Sequence, residues 1–357
     1  MHGFDLSKFM ALPNAALHAA AWSALVAALV AVVLLADTWL LQYLVARRAQ
    51  RARVVTARWR AVLLAALNGE PPPAVSVPRA QVRVFLHEWN AMHESARGDA
   101  RAGLDQLLRM ADLPRHCRAW LRRPGARRLV LALRTLGHLA EGDDWSAVRP
   151  HLDDVRGNVA LAAARALMRI DDARSAPLIL QTFSRRSDWP AAAVYDMLAD
   201  GTSPAVGESV REWLLELPAG RLVRALTVAA AVFAPPVSNA VLRLLRTASD
   251  PDVLAACLRL TDAPQALDRI RELAVHPSWP VRVQAANALE RLGQSEDISL
   301  LTWLLGDDSW WVRYRAARAL MHLPGGSGAT LRAMADSYPD PRVREILSFV
   351  VAEERHG

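Results

Sequence analysis

Trp279, Val281, Arg282, Ala286 and Leu289 recur as Trp310, Val312, Arg313, Ala317 and Leu320, each displaced by 31 residues, and a third copy opens another 31 on at Val343 and Arg344. A fixed period of this length restricts the fold severely. Each repeat is one supersecondary unit that cannot bury its own apolar face, so neighbouring units must stack to make a shared core. Written out, SWPVRVQAANALERLG (Ser278 to Gly293) aligns with SWWVRYRAARALMHLP (Ser309 to Pro324), and each follows a polar turn. Small and apolar residues three and four apart make both segments helical. Looser copies run back along the chain from Ala234, Ser249, Ser187 and Gly157, with PGARRLVLALRTLGHL from Pro124 as the first. No run of strands interrupts them.

This pattern resembles the HEAT-like repeat family in its short bacterial form of about 30 residues per unit, over the chain from Pro124 onward. The resemblance implies an all-α fold, a HEAT-like α-solenoid. It further implies that Asp307 or Asp308 caps the second helix of its unit, that Val312 packs inward and that Arg313 bridges to a neighbouring unit. Arg282 and Arg344 share that position. Ala191-Ala192 and Val253-Leu254 stand where Val-Arg would, so the middle units are degenerate.

The chain has a second constraint at its other end. From Ala15 to Ala46 the only formal charge is Asp37, and Ala19 to Ala36 carries none. As a helix these 32 residues reach roughly 48 Å, against a hydrocarbon core of about 30 Å. Trp22 and Trp39 stand about 25 Å apart on such a helix, spaced for two interfacial aromatic belts, with Tyr43 thickening the second. Arg47, Arg48, Arg51, Arg53, Arg58 and Arg60 follow without an acid. The excess of positive charge beyond the apolar run predicts a single transmembrane span with the N-terminus outside and the rest cytoplasmic, at an inner (plasma) membrane, the arginines touching anionic lipid. A cleavable signal peptide would carry its positive charge before a shorter run. Asp37 is either solvated near the headgroups or an intramembrane carboxylate requiring a partner helix. Val55, Trp59, Val62, Leu63 and Ala66 then share one helical face, ended by Asn68-Gly69 and Pro71 to Pro73. That stretch either lies along the membrane or extends the spanning helix.

The expected organisation is therefore an anchor over 1–46, a basic juxtamembrane helix and Pro-rich linker over 47–78, an N-terminal helical cap over 79–123 and the repeat solenoid over 124–357. Charge follows the same divisions. Residues 1–46 net −1, residues 47–128 carry 17 Arg against 6 acids, and residues 129–357 carry 25 Arg against 28 acids. The formal +7 thus reports a membrane surface rather than a nucleic-acid groove.

Chemistry is sparse. The sole lysine among the 43 basic residues is Lys8, ahead of the apolar run, which leaves no lysine inside the fold for a phosphate loop, a kinase site or a Schiff base. His87 and His93 are six apart, about 240° around a helix, and cannot share one metal. Cys117 and Cys257 form no redox or metal spacing and read as buried apolar residues. The pairs Asp143-Asp144, Asp153-Asp154, Asp171-Asp172 and Asp307-Asp308 fall at inter-helix turns, where capping explains them. No enzyme, no metal and no cofactor is expected.

Tryptophan is the unusual resource, twelve residues against four tyrosines. Trp145, Trp189, Trp279, Trp310 and Trp311 fall near turns, where they either staple one unit to the next or anchor a partner. Adjacent Trp310 and Trp311 cannot both face one core. The partner-binding set is Trp279, Arg282, Trp310, Trp311 and Arg313. The combination predicts a membrane-anchored scaffold holding a protein partner, an integral inner-membrane protein, with no nucleic acid and no small-molecule substrate. The resemblance implies association with envelope or exopolysaccharide synthases, and offers a ligand-binding, lyase or DNA-glycosylase type of protein as the alternative.

Overall fold

The computed structural model describes residues 14–69, 75–232 and 235–354. Lys8, the prolines 71–73 and Ala234 lie outside these residues, as does the side chain of Arg48. Every regular element among the described residues is helical, and the chain divides into two compact units, Met1–Leu113 and Pro114–Gly357.

The first unit is dominated by α1 (Asn14–Leu67), 54 residues or about 81 Å of continuous helix. Its two halves meet different surroundings. From Ala21 to Arg47 the described side chains are all exposed, whereas Trp59, Leu63 and Ala66 are buried. They are covered by α2 (Val82–Ser95) and α3 (Asp99–Met110). The apolar stripe therefore continues the long N-terminal helix and is covered by protein. Trp59 packs edge-on to Phe85 at 5.2 Å and donates from its indole to Gln81 Oε1 at 2.9 Å. Arg60 donates twice to Glu88 Oε2, at 3.1 and 2.9 Å. Gly103 lets α3 approach α1 closely, since a Cβ there would sit 2.2 Å from the Ala66 carbonyl oxygen. Gly69, at φ 80°, ends α1 where the sequence placed a stop. The compact units divide inside the 79–123 segment expected to be one cap: α2 and α3 cluster with α1, because its apolar stripe needs a cover, and only the residues from Pro114 join the repeats.

The second unit is a two-layer array. One layer holds α4 (Leu113–Leu121), α6 (Trp145–Val148), α8 (Asp172–Arg185), α10 (Pro204–Glu216), α12 (Pro235–Thr247), α14 (Leu267–Leu273), α16 (Ile298–Leu304) and α18 (Gly328–Ser337). The other holds α5 (Ala126–Leu139), α7 (Gly157–Ile170), α9 (Ala191–Ala199), α11 (Ala219–Ala229), α13 (Pro251–Leu260), α15 (Trp279–Leu292), α17 (Trp310–His322) and α19 (Pro341–Glu354). Along this second layer each helix packs on the next, so the array is an α-solenoid. α15, α17 and α19 begin at 279, 310 and 341, the sequence period itself. Val281, Ala286, Leu289, Val312, Ala317 and Val343 are wholly buried, and alanine between the larger residues allows the helices to approach closely. Burying one such leucine contributes about 1.5–3 kcal/mol, so the apolar period is the main force in stacking.

The middle of the array pairs differently from the sequence expectation. The loose copies near Ala234 and at Ser249 belong to one unit, as its two helices α12 and α13. The second helix of the preceding unit is α11, which escaped the pattern because its buried residues, Leu222, Ala225, Leu226 and Ala229, fall in a different register from the Val-Arg copies.

Candidate functional site

Two surfaces stand out, one on each unit. On the first, Trp22 is 68% and Trp39 74% exposed, and the Leu and Val residues between them are exposed with them. Asp37 and Arg51 are likewise exposed. Tyr43 lies under the Arg47 guanidinium, 5.7 Å from ring centroid to Cζ. The segment is one helix long and apolar enough to cross a membrane, with a mean hydropathy of 2.4 over its most apolar window.

On the second unit, the repeated arginine has a fixed structural task. Arg282 Nη1 donates to the carbonyls of His276 and Pro277 at 2.9 and 2.8 Å, Arg313 to those of Asp307 and Asp308 at 2.7 and 3.0 Å, and Arg344 to those of Tyr338 and Pro339, both at 2.9 Å. Each closes its own inter-helix turn. Arg313 closes its own turn through Nη1 and, unlike Arg282, makes no side-chain hydrogen bond to the next unit among the described residues; only its charge reaches Asp340 there. Arg282 is the bridging member, gripping Asp307 of the next unit through Nε and Nη2 at 2.7 and 2.9 Å. Asp307 is a receptor for that fork and for the Ser309 backbone N–H, and the cap position of α17 is Ser309.

The same device recurs. Arg271 reaches Asp297 at 2.6 Å, and Arg118 reaches Asp144 at 2.5 Å and Glu141 at 2.7 Å, each into the turn that opens the following unit. Asp144 and Asp297 side chains are 2% exposed, so these pairs are largely shielded from water on the acid side. A guanidinium supplies five donors in a rigid fork that matches a carboxylate and neighbouring carbonyls together, which one ammonium cannot do.

The aromatic residues separate into staples and surface. Trp145 donates to Ser175 at 3.4 Å and Trp213 to Ser184 at 2.6 Å, each joining neighbouring units. Trp189 is 2% exposed, which leaves no surface for a partner there. Its ring lies under the Arg186 guanidinium, and its carbonyl accepts from Arg224 at 2.6 Å, which draws the turn inward. Trp279, Trp310 and Trp311, by contrast, are 48%, 41% and 53% exposed. Trp310 stacks on Tyr314 at 5.2 Å and meets Trp311 edge-on at 4.9 Å, with Phe349 of α19 completing the group at 6.1 Å. Tyr314 is held by a 2.8 Å hydrogen bond to Glu353. The result is a rigid aromatic surface at residues 310–349, with Trp279 repeating its first position one unit earlier.

Phe349 and the exposed Trp303 were not singled out in the sequence, because the pattern scores helix positions and not what the next unit leaves uncovered. Of the histidines, His93 is buried against Asp105 at 3.2 Å while His87 is exposed, so they occupy different faces of α2. Asp171 and Asp250 do cap helices, accepting from Arg174 and from Asp252 and Val253. Burial pushes the thiols of Cys117 and Cys257 up to about 12, leaving them protonated and inert at neutral pH.

Residues 238–321 and 267–348 each match the family described as HEAT repeats. In sequence the chain matches no curated protein. A crystal structure of an engineered protein is similar at 16% identity and a TM-score of 0.33, covering 86% of this chain and 96% of that one. Periodic sequence, paired helices and family match agree that residues 238–348 are HEAT repeats, carried within an all-helical solenoid.

Proposed function

We propose that the chain is a non-catalytic, membrane-tethered scaffold. α1 spans an inner membrane with the N-terminus outside, and the HEAT array faces the cytoplasm, where it holds a protein partner that is itself part of an inner-membrane complex. The observation that carries this reading is the contrast along α1. One uninterrupted helix is bare and apolar from Ala21 to Val45, then passes without a break into a folded unit that covers its last turns. A bare apolar surface of that length in water is costly, and in lipid it is satisfied. Cleavage after the apolar run would sever a helix that the folded unit uses, which favours an anchor over a removable leader.

The aromatic surface supports the second half of the proposal. Exposed Trp310, Trp311 and Phe349 on a rigid support are the residue types that dominate binding energy at interfaces. A tether concentrates such a surface beside membrane proteins without any added contact. Envelope or exopolysaccharide synthases are the partner class the sequence resemblance suggests. The alternative, a nucleic-acid-binding or glycosylase-type protein, requires a phosphate-binding face, and residues 129–357 carry more acids than arginines.

The test is extraction in mild detergent of wild type and of Trp310→Ala/Trp311→Ala, with mass spectrometry of co-purifying membrane proteins. The proposal expects a defined integral membrane protein with the wild type and its loss, at unchanged melting temperature, with the variant. Recovery of the wild type alone, or salt-sensitive duplex-DNA binding by the full chain, would overturn it.

A further inference from the structure

The second unit has a cavity of about 270 Å³ where the end of α8, the end of α10 and the start of α11 converge. Four arginines line it, Arg185, Arg186, Arg221 and Arg224, and no acid does. Phe183 and Trp213 form its aromatic wall, their rings 6.1 Å apart. The lining is therefore positive, and a carboxylate partner for its arginines has to come from outside it, as Asp188 does for Arg186.

The four arginines divide into two kinds. Arg224 and Arg186 are built in. Arg224 lies 3.6 Å from the Phe183 ring centroid and donates to the carbonyls of Phe183, Arg186 and Trp189 at 3.1, 3.0 and 2.6 Å. Arg186 pairs with Asp188 at 2.8 Å and donates to the carbonyls of Asp154 and Val155. Asp188 is the charged acid nearest this pair, and Arg186 already engages both its oxygens. Arg185, at the end of α8, and Arg221, in the first turn of α11, are exposed and pair with no acid among the described residues. Two of the lining cations are thus tied into the fold, and the other two are exposed beside them. The first turn of α11 also lines the cavity through Gly220, whose missing side chain leaves open space beside the backbone, on the positive end of the helix dipole.

We infer that this cavity binds a phosphate-bearing ligand, its phosphoryl group held between Arg185 and Arg221 and its apolar or planar portion against the partly exposed Trp213. Paired guanidinium forks match phosphate oxygens bidentately, and a phosphate dianion supplies the acid partner that Arg185 and Arg221 lack among the described residues. The phosphoryl group belongs either to a soluble organic phosphate or to a lipid headgroup, and the cavity admits both. Neither the tether nor the aromatic surface is needed for such binding: a ligand here would act on α8, α10 and α11, in the degenerate middle of the array.

The experiment is calorimetric titration of the full chain in detergent with pyrophosphate and, separately, with dihexanoyl phosphatidic acid. Saturable binding of at least one is expected, weakened at least tenfold in Arg185→Ala/Arg221→Ala. Gly220→Leu provides a second variant. A Cβ at 220 meets nothing within 4 Å, so a leucine at this lining position adds bulk without displacing its neighbours, and it is expected to weaken binding while the helical melt is retained. Binding of pyrophosphate alone assigns a soluble phosphate, and binding of phosphatidic acid alone assigns a headgroup. Absence of saturable binding to both, or equal affinity in the wild type and the two variants, overturns the inference.

Discussion

Arg282→Ala removes four hydrogen bonds at one stroke: the two-pronged grip on Asp307 and the closure of the His276–Pro277 turn. The side chains are 16% and 5% exposed, so Asp307 would remain as a nearly buried carboxylate with only the Ser309 N–H to satisfy it. Breaking a buried pair by removing one partner costs about 3–5 kcal/mol, and the partial exposure of Arg282 places this case near the lower end, about 3 kcal/mol. For a folded unit of this size that corresponds to a fall of roughly 6–12 °C in melting temperature. Circular dichroism at 222 nm follows the melt. Arg282→Lys should recover less than half of the loss, because an ammonium cannot span the carboxylate and the two carbonyls together. In a double-mutant cycle with Asp307→Ala, the pair should show about 1–3 kcal/mol of coupling. A melting temperature within about 1 °C of wild type for Arg282→Ala, or strictly additive losses in the cycle, would refute the reasoning and return Arg282 to the partner-binding set.

Other outcomes follow from single positions. Gly103→Ala should destabilise the first unit by about 1–3 kcal/mol and loosen α3 from α1, seen as faster amide exchange across 99–110, because its Cβ would collide with the Ala66 carbonyl. The native protein should resist alkylation by iodoacetamide at pH 8 and react at Cys117 and Cys257 once unfolded in guanidinium, since burial holds both thiols near 12. The hydrogen bonds from Arg156 hold the Asp154 carboxyl down at about 2, below the ordinary carboxylate value of 3.8. Its folded pKa is depressed, so its small contribution is present above the unfolded value and is lost as pH falls through about 2. Asp154→Asn should accordingly lower stability slightly at neutral pH, and its difference from wild type should shrink between about pH 4 and 2 and vanish below, which flattens the acid limb of the stability curve.

The parts of the fold legible in the sequence are those with a local signature. The apolar period gave α15, α17 and α19 their starts, Asn68-Gly69 gave the end of α1, and the buried face of α1 was readable as Trp59, Leu63 and Ala66. What covers that face was not, because α2 and α3 lie beyond a break and their packing on α1 is a tertiary fact. Nor could the sequence choose between staple and partner anchor for Trp189: its ring is buried, and its carbonyl is held by Arg224, 35 residues further on. The repeated arginine was recognised as structural, but its partners were misassigned. Arg282 and Arg313 both close their own turns, and Arg282 alone adds hydrogen bonds to an acid of the next unit, since the acid in the turn after Arg313, Asp340, is taken by Arg342. The arginine-lined cavity between α8, α10 and α11 has no motif at all, since the residues that form it span Phe183 to Ala225 with no fixed spacing.

The central claim, a single span with the HEAT array on the cytoplasmic side, is tested most directly by site-specific labelling of intact cells. The buried native cysteines are silent, so Ser7→Cys ahead of the apolar run and Ser187→Cys in the array each provide one reactive thiol. With a membrane-impermeant maleimide, the thiol introduced at position 7 should label in intact spheroplasts, and the one at position 187 only after permeabilisation, with both proteins remaining in the membrane fraction at alkaline pH. Labelling of both positions from the same side, or release of the chain from the membrane by alkali, would contradict the account.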